Sequence, residues 1–101
     1  MYLTLPITIN QESLEEYCLR HHIQRLAVFG SALRDDFTKE SDLDLLVEFQ
    51  DSHTPGWEIV TIADELSTLF GRRVDLRTSM DLSRYFRQEV EQEAIAIYEQ
   101  D

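Results

Sequence analysis

Positive charge is scarce in this chain. Its 101 residues carry 9 Lys plus Arg against 20 Asp plus Glu, a formal net charge of −11. Phosphate backbones dominate nucleic-acid affinity and repel such a surface, so polymeric DNA or RNA is not expected as a direct ligand. The same excess suits divalent cations or a basic protein partner. It also serves the simpler purpose of keeping a small protein in solution. Cysteine is nearly absent: Cys18 stands alone, which excludes an internal disulfide and fits a reducing, cytoplasmic setting. No apolar run approaches the ~20 residues of a membrane span, so no membrane role is expected. Met1–Pro6 is too short for a signal peptide and lacks a basic leading segment. His21, His22 and His53 show no zinc spacing and have one Cys to work with. Repeats, low-complexity segments and linker-like stretches are missing too.

What is present is enough for one domain over residues 1–101. Hydrophobic residues make up 43% of the chain, as in globular proteins. A chain of this size buries roughly 60–70% of the surface its unfolded form exposes. Two starts compete for the first helix. Thr8 with Gln11 makes a capping box, and Asn10 is itself a good N-cap. Leu14, Tyr17, Cys18 and His21 then recur at helical spacing, which predicts a helix over Gln11–His22 with Cys18 as a small core residue. Ile23–Phe29 reads as a buried strand bounded by Gly30. Ser31–Asp36 reads as a short helical turn, and Phe37–Ser41 as a loop. Asp42–Phe49 is a second strand, with Leu43, Leu45 and Val47 facing one way and Asp42, Asp44 and Leu46 the other. Pro55 opens an apolar helix through Trp57 to Phe70, ended by Gly71 in the left-handed position. Arg73–Arg77 is a third strand with Asp75 opposite Val74 and Leu76. Ser79 or Asp81 then caps a last helix, in which Leu82, Tyr85, Phe86, Val90, Ala94, Ile97 and Tyr98 follow helical spacing. The expected fold is an α/β domain of the α+β kind: a small mixed sheet flanked by helices.

The chemistry gathers between Phe29 and Phe49, in FGSALRDDFTKESDLDLLVEF. Gly30 ends a strand and lets the backbone approach a ligand closely. The N–H groups from Ser31 onward, with the Ser31 hydroxyl, point toward an anion. Taken alone, a Gly-Ser pair after a strand is ordinary turn chemistry. Asp42 and Asp44 lie two apart, so their carboxylates project from one strand face. Two close carboxylates repel, and a divalent cation relieves the repulsion. A one-sided strand also alternates polar residues with no ligand in mind. Asp75 repeats the pattern on the next strand. Together the turn and the three carboxylates make one acidic cluster facing one anion cradle. Two metal ions bridged by such a cluster, about 3.5–4 Å apart, activate an attacking oxygen and stabilise a leaving pyrophosphate.

The spacing Gly30-Ser31-x10-Asp42-x-Asp44 resembles the signature of the polymerase-β-type nucleotidyltransferase superfamily. The LLVEF continuation, the GRRVDL segment and the EAIAIYEQ ending resemble its minimal branch, the MNT proteins paired with HEPN toxins in prokaryotic toxin–antitoxin modules. The resemblance runs from about Arg25 to the C-terminus. It implies a nucleotidyltransferase fold, ATP as donor and Mg²⁺, two ions, as cofactor. By motif, Gly30 and Ser31 hold the triphosphate, Asp42 and Asp44 bind both metals, and Asp75 completes the site and helps activate the acceptor hydroxyl. It further implies a tyrosine of the HEPN ribonuclease toxin as acceptor, AMP transfer as the neutralising step, and a hetero-oligomeric complex. One departure is visible: the family often has Arg-Gly after the Gly-Ser turn, and this chain has Arg34-Asp35.

Several neighbours have simpler roles. Arg34 reaches a phosphate or pairs with Asp35 or Asp36. Ser41 orients Asp42 or merely shapes a turn. Arg72 and Arg73 follow a helix end, where positive charge is favourable for dipole reasons alone. Trp57 reads as core or interface, with adenine stacking the lesser option. Tyr98 belongs to the core stripe. Two other functions fit less well. A binding-only antitoxin would not need three carboxylates, and a small-molecule nucleotidyltransferase, such as those modifying aminoglycosides, needs a further domain for its acceptor.

Overall fold

The structure is a computed structural model that describes residues 10–33, 37–38 and 40–100. Thr8, Arg34, Asp35 and Asp36 lie outside the described residues, and with them the Thr8 capping box and the Arg34 phosphate contact. The chain opens with α1 (Gln11–Arg20), where the Asn10 Oδ1 accepts from the Ser13 N–H at 3.0 Å and so caps the first turn. Leu14, Tyr17 and Cys18 form its buried stripe. The helix stops earlier than its sequence pattern suggests, because His22 takes a left-handed conformation at φ 59 and turns the chain into β1. Burial pushes the Cys18 thiol up to about 12 and raises the Tyr17 phenol. The Tyr17 hydroxyl donates to Glu65 at 3.1 Å.

Four strands make one sheet: β1 (Ile23–Phe29), β2 (Leu43–Phe49), β3 (Val74–Arg77) and β4 (Ile95–Glu99). Their order is β3-β2-β1-β4. β1 runs antiparallel to β2 and β4, while β2 and β3 are parallel, so the sheet is mixed as expected. Leu26, Val28, Leu43, Leu45, Val47 and Val74 point to one face and pack with Leu14, Cys18, Ile62 and Leu66 of the helices. At about 25 cal/mol per Å² of apolar surface, this face holds most of the fold's stabilisation. The other face is not simply polar. Leu46, grouped with the aspartates by alternation, is 2% exposed, and its partner Ala27 is fully buried.

The second long helix, α2 (Glu58–Phe70), buries Ile62 and Leu66 and ends at Gly71 with φ 69. Ser67 ties it to β3: its Oγ donates to the Ala63 carbonyl at 2.8 Å and accepts from the Val74 N–H at 2.9 Å. Trp57 stands at the helix start and is 91% exposed, so of its expected roles, core or interface, the core one is corrected.

The C-terminal region departs most from expectation. One helix through Tyr98 was expected. Instead a short 3-10 turn at Ser79–Asp81 precedes α3 (Arg84–Glu93), which is capped by Ser83 rather than by Ser79 or Asp81. The chain then becomes extended at Ala94 and forms β4. The apolar residues Ile95, Ile97 and Tyr98 suit a strand as well as a helix turn. The open edge of β1 decides between them, because its backbone groups need partners. A register shift between Leu26 and Ala27 leaves Ile97 unmatched opposite β1, and both Ile97 and Tyr98 still pack against the core. Tyr98 is thus core, as expected, but from a strand.

Candidate active site

The β1–β2 ladder explains why the glycine and the aspartates stand so many residues apart. Phe29 pairs with Asp44, so Gly30, the next residue, leaves the strand beside that carboxylate. Gly30 adopts φ 70, a conformation L-residues with a Cβ rarely take. A Cβ there would also overlap the Asp44 Oδ2. The two halves of the motif therefore occupy one space, and glycine is required for both conformation and room. Gly30 opens the 3-10 turn Gly30–Leu33, with Ser31 as its second residue and Ala32 buried beneath it.

The parallel β2–β3 ladder supplies the third carboxylate. Asp44 and Asp75 are register partners, as are Leu43 with Val74 and Leu45 with Leu76. Asp44 and Asp75 are thus neighbours on adjacent strands. Asp42 is exposed and precedes the first residue of β2, so the strand starts one residue later than the sequence suggests. Leu43 N–H donates to the Arg73 carbonyl at 2.9 Å and locks this entry point against β3.

The oxygen-only donor chemistry of the three aspartates suits Mg²⁺. Among the described residues, however, no three His, Cys, Asp or Glu side chains stand ready to hold a metal ion. Asp75 is turned toward Arg77: the Arg77 Nε donates to Oδ1 at 3.1 Å and Nη2 to Oδ2 at 3.4 Å. Its hydrogen bonds to Asp75, the charge of that carboxylate, and those of Asp81 and Asp44 hold the guanidinium above its ordinary pKa. Sequence reasoning missed this pairing, although the two residues share a strand face at a separation of two.

Two further groups were also missed. Arg72, set aside as a helix-end charge, donates from Nη1 to the carbonyls of Thr38 (3.2 Å) and Ser41 (3.3 Å) and lies over the Phe37 ring at 4.5 Å. It clips the segment leading into Asp42 to the end of α2. The Ser41 Oγ accepts from the Thr38 N–H at 3.0 Å, which is turn chemistry, one of its two expected roles. A cavity of about 320 Å³ adjoins Gly30, lined by Phe29, Phe86, Glu89, Val90 and Glu93. Its α3 side carries no chemical motif. Only the placement of α3 across the sheet reveals it.

The family model described as Polymerase beta, Nucleotidyltransferase matches residues 12–101. The chain therefore belongs to the polymerase beta nucleotidyltransferase family, and its class is that of nucleotide-transferring enzymes. Within that class it is similar to minimal members. A solved chain provisionally described as a minimal nucleotidyltransferase is 36% identical, covers 84% of this chain and 86% of its own, and superposes with a TM-score of 0.68. Protein adenylyltransferase MntA of Thermococcus cleftensis is 31% identical over 70 residues, 69% of this chain and 67% of the relative. A solved toxin–antitoxin with AMP-PNP shares the fold at a TM-score of 0.71 and 19% identity, over 92% of this chain and 76% of the other.

Proposed function

We propose that this protein is a single-domain, Mg²⁺-dependent protein adenylyltransferase that acts as an antitoxin. It transfers AMP from ATP to a tyrosine of a partner HEPN ribonuclease toxin in the cytoplasm. The observation that carries this reading is the convergence of the register partners Asp44 and Asp75 with Gly30, which leaves β1 just after Phe29, the partner of Asp44. In the proposed reaction the tyrosine oxygen bonds to the α-phosphorus, the bond from that phosphorus to the bridging oxygen breaks, and pyrophosphate leaves. Gly30 and Ser31 cradle the triphosphate with backbone N–H groups. Asp42 and Asp44 would hold the metal, and Asp75 would complete the set and help activate the acceptor hydroxyl by taking its proton. Mg²⁺ held there would supply neutralisation of the charge that develops on the transferred phosphate. The cavity beside Gly30 gives the nucleoside an apolar wall at Phe29, Phe86 and Val90. Names and complexes of the relatives support a protein acceptor and a toxin partner. The net charge of −11 argues against a polynucleotide as substrate or ligand.

The test is direct. Incubate the protein, α-labelled ATP and Mg²⁺ with the toxin encoded beside it, and follow label into the toxin. Wild type transfers label, while Asp42→Asn/Asp44→Asn falls by about a hundred-fold or more. If the variant protects cells as well as wild type while neither transfers label, the protein acts by binding alone and the enzymatic reading fails.

A further inference from the structure

Arg77 has no part in the reading above, yet it contacts a proposed site residue directly. Its side chain lies on the same face of β3 as Asp75 and grips that carboxylate with two nitrogens, at 3.1 and 3.4 Å. The carboxylates of Asp44, Asp75 and Asp81 all act on this one guanidinium. Adjacent strands lie about 4.8 Å apart, so the register partners Asp44 and Asp75 would repel strongly without a cation nearby. The Arg77 guanidinium places a positive charge beside this pair. It engages both Asp75 oxygens, the same atoms a metal ion would use.

We propose that Arg77 is a positioning residue: a built-in counter-ion that occupies the Asp75 carboxylate and competes with a divalent cation for it. This rests on the metal-site reading above. The grip suits displacement. The two side chains are 48% and 43% exposed, and such exposed pairs are weak. A dication with open coordination positions binds the carboxylate more strongly than a solvated guanidinium does. Arg77 thus lowers the affinity of the empty site for metal alone. The full carboxylate set becomes available when metal arrives with its triphosphate, whose oxygens add ligands that Arg77 does not occupy.

The experiment is Mn²⁺ binding to the whole chain without nucleotide, by titration calorimetry, for wild type, Arg77→Gln, Arg77→Lys, Asp75→Asn and the Asp75→Asn/Arg77→Gln double variant. Circular dichroism checks that each is folded. Arg77→Gln is expected to tighten Mn²⁺ binding about two- to five-fold, the range an exposed pair can contribute. Arg77→Lys keeps the charge without the two-nitrogen grip and falls between. In the Asp75→Asn background the tightening should largely vanish. A merely long-range charge effect would instead give equal fold-changes in both backgrounds, and that result overturns the proposal. So does unchanged or weaker Mn²⁺ binding in Arg77→Gln while Asp75→Asn weakens it, an outcome that leaves the metal site standing. If Asp75→Asn and Asp42→Asn/Asp44→Asn both leave Mn²⁺ binding unchanged, the metal-site reading itself fails, and this proposal with it.

Discussion

Two adjacent rows of one ladder, where β2 meets β3, do opposite work. In one row Leu45 pairs with Leu76, and Leu45 is fully buried among the helices. In the next row Asp44 pairs with Asp75, and Asp75 reaches partly exposed toward Arg77. The backbone is the same in both rows. Only the alternation of side chains separates them, so one residue of register shift would bury the carboxylates and expose the leucines. The apolar row therefore holds the chemical row in place, while the chemical row adds little to stability. Acidic residues can then sit close together for function, because the neighbouring face supplies the free energy that tolerates them.

Three substitutions bear on this contrast. Leu45→Ala should cost the most, about 2–5 kcal/mol, by opening a cavity in the centre of the sheet. Urea unfolding measures it, and a cost below 1 kcal/mol would remove the distinction between the rows. Gly30→Ala tests the boundary. It lies at the chemical end but needs a left-handed backbone and the space beside Asp44, so about 1–2 kcal/mol should be lost together with AMP transfer. Loss of transfer at wild-type stability would mean that Asp44 yields without strain. Asp75→Asn should change unfolding by less than about 1 kcal/mol, because its ion pair is exposed. A larger loss, read in the same unfolding curve, would show that the chemical row is structural after all.

Much of this arrangement was legible in the residues because its signals are local. The run Ile23–Phe29 is apolar and closed by a glycine, and it forms the strand it suggests. Gly71 ends α2 as its position implies, and the alternation in β2 places Leu43, Leu45 and Val47 in the core. What failed depends on partners distant in sequence. Ile95–Glu99 carries periodicity compatible with helix or strand, and only the vacant edge of β1 decides. Trp57 was expected in the core or at an interface because its helix is apolar, and it stands exposed at the start of α2, outside the core. The site showed the same division. Gly30, Asp44 and Asp75 followed from strand logic. The grip of Arg77, the clip made by Arg72 and the α3 wall of the cavity needed coordinates, since arginines beside aspartates are common on any surface.

The late arrival of β4 has a consequence for how the molecule forms. β1 is an interior strand only because β4 covers its outer edge, and Gln24 finds its partner Gln100 76 positions downstream. Gly30 and Asp44 need nothing from that distant segment, since β1 and β2 are joined by a short connection. The Gly30 turn and Asp44 can therefore meet without β4, while the edge of β1 waits for the longest loop closure among the strand pairs. Until β4 docks, the uncovered edge of β1 is open to pairing with another chain.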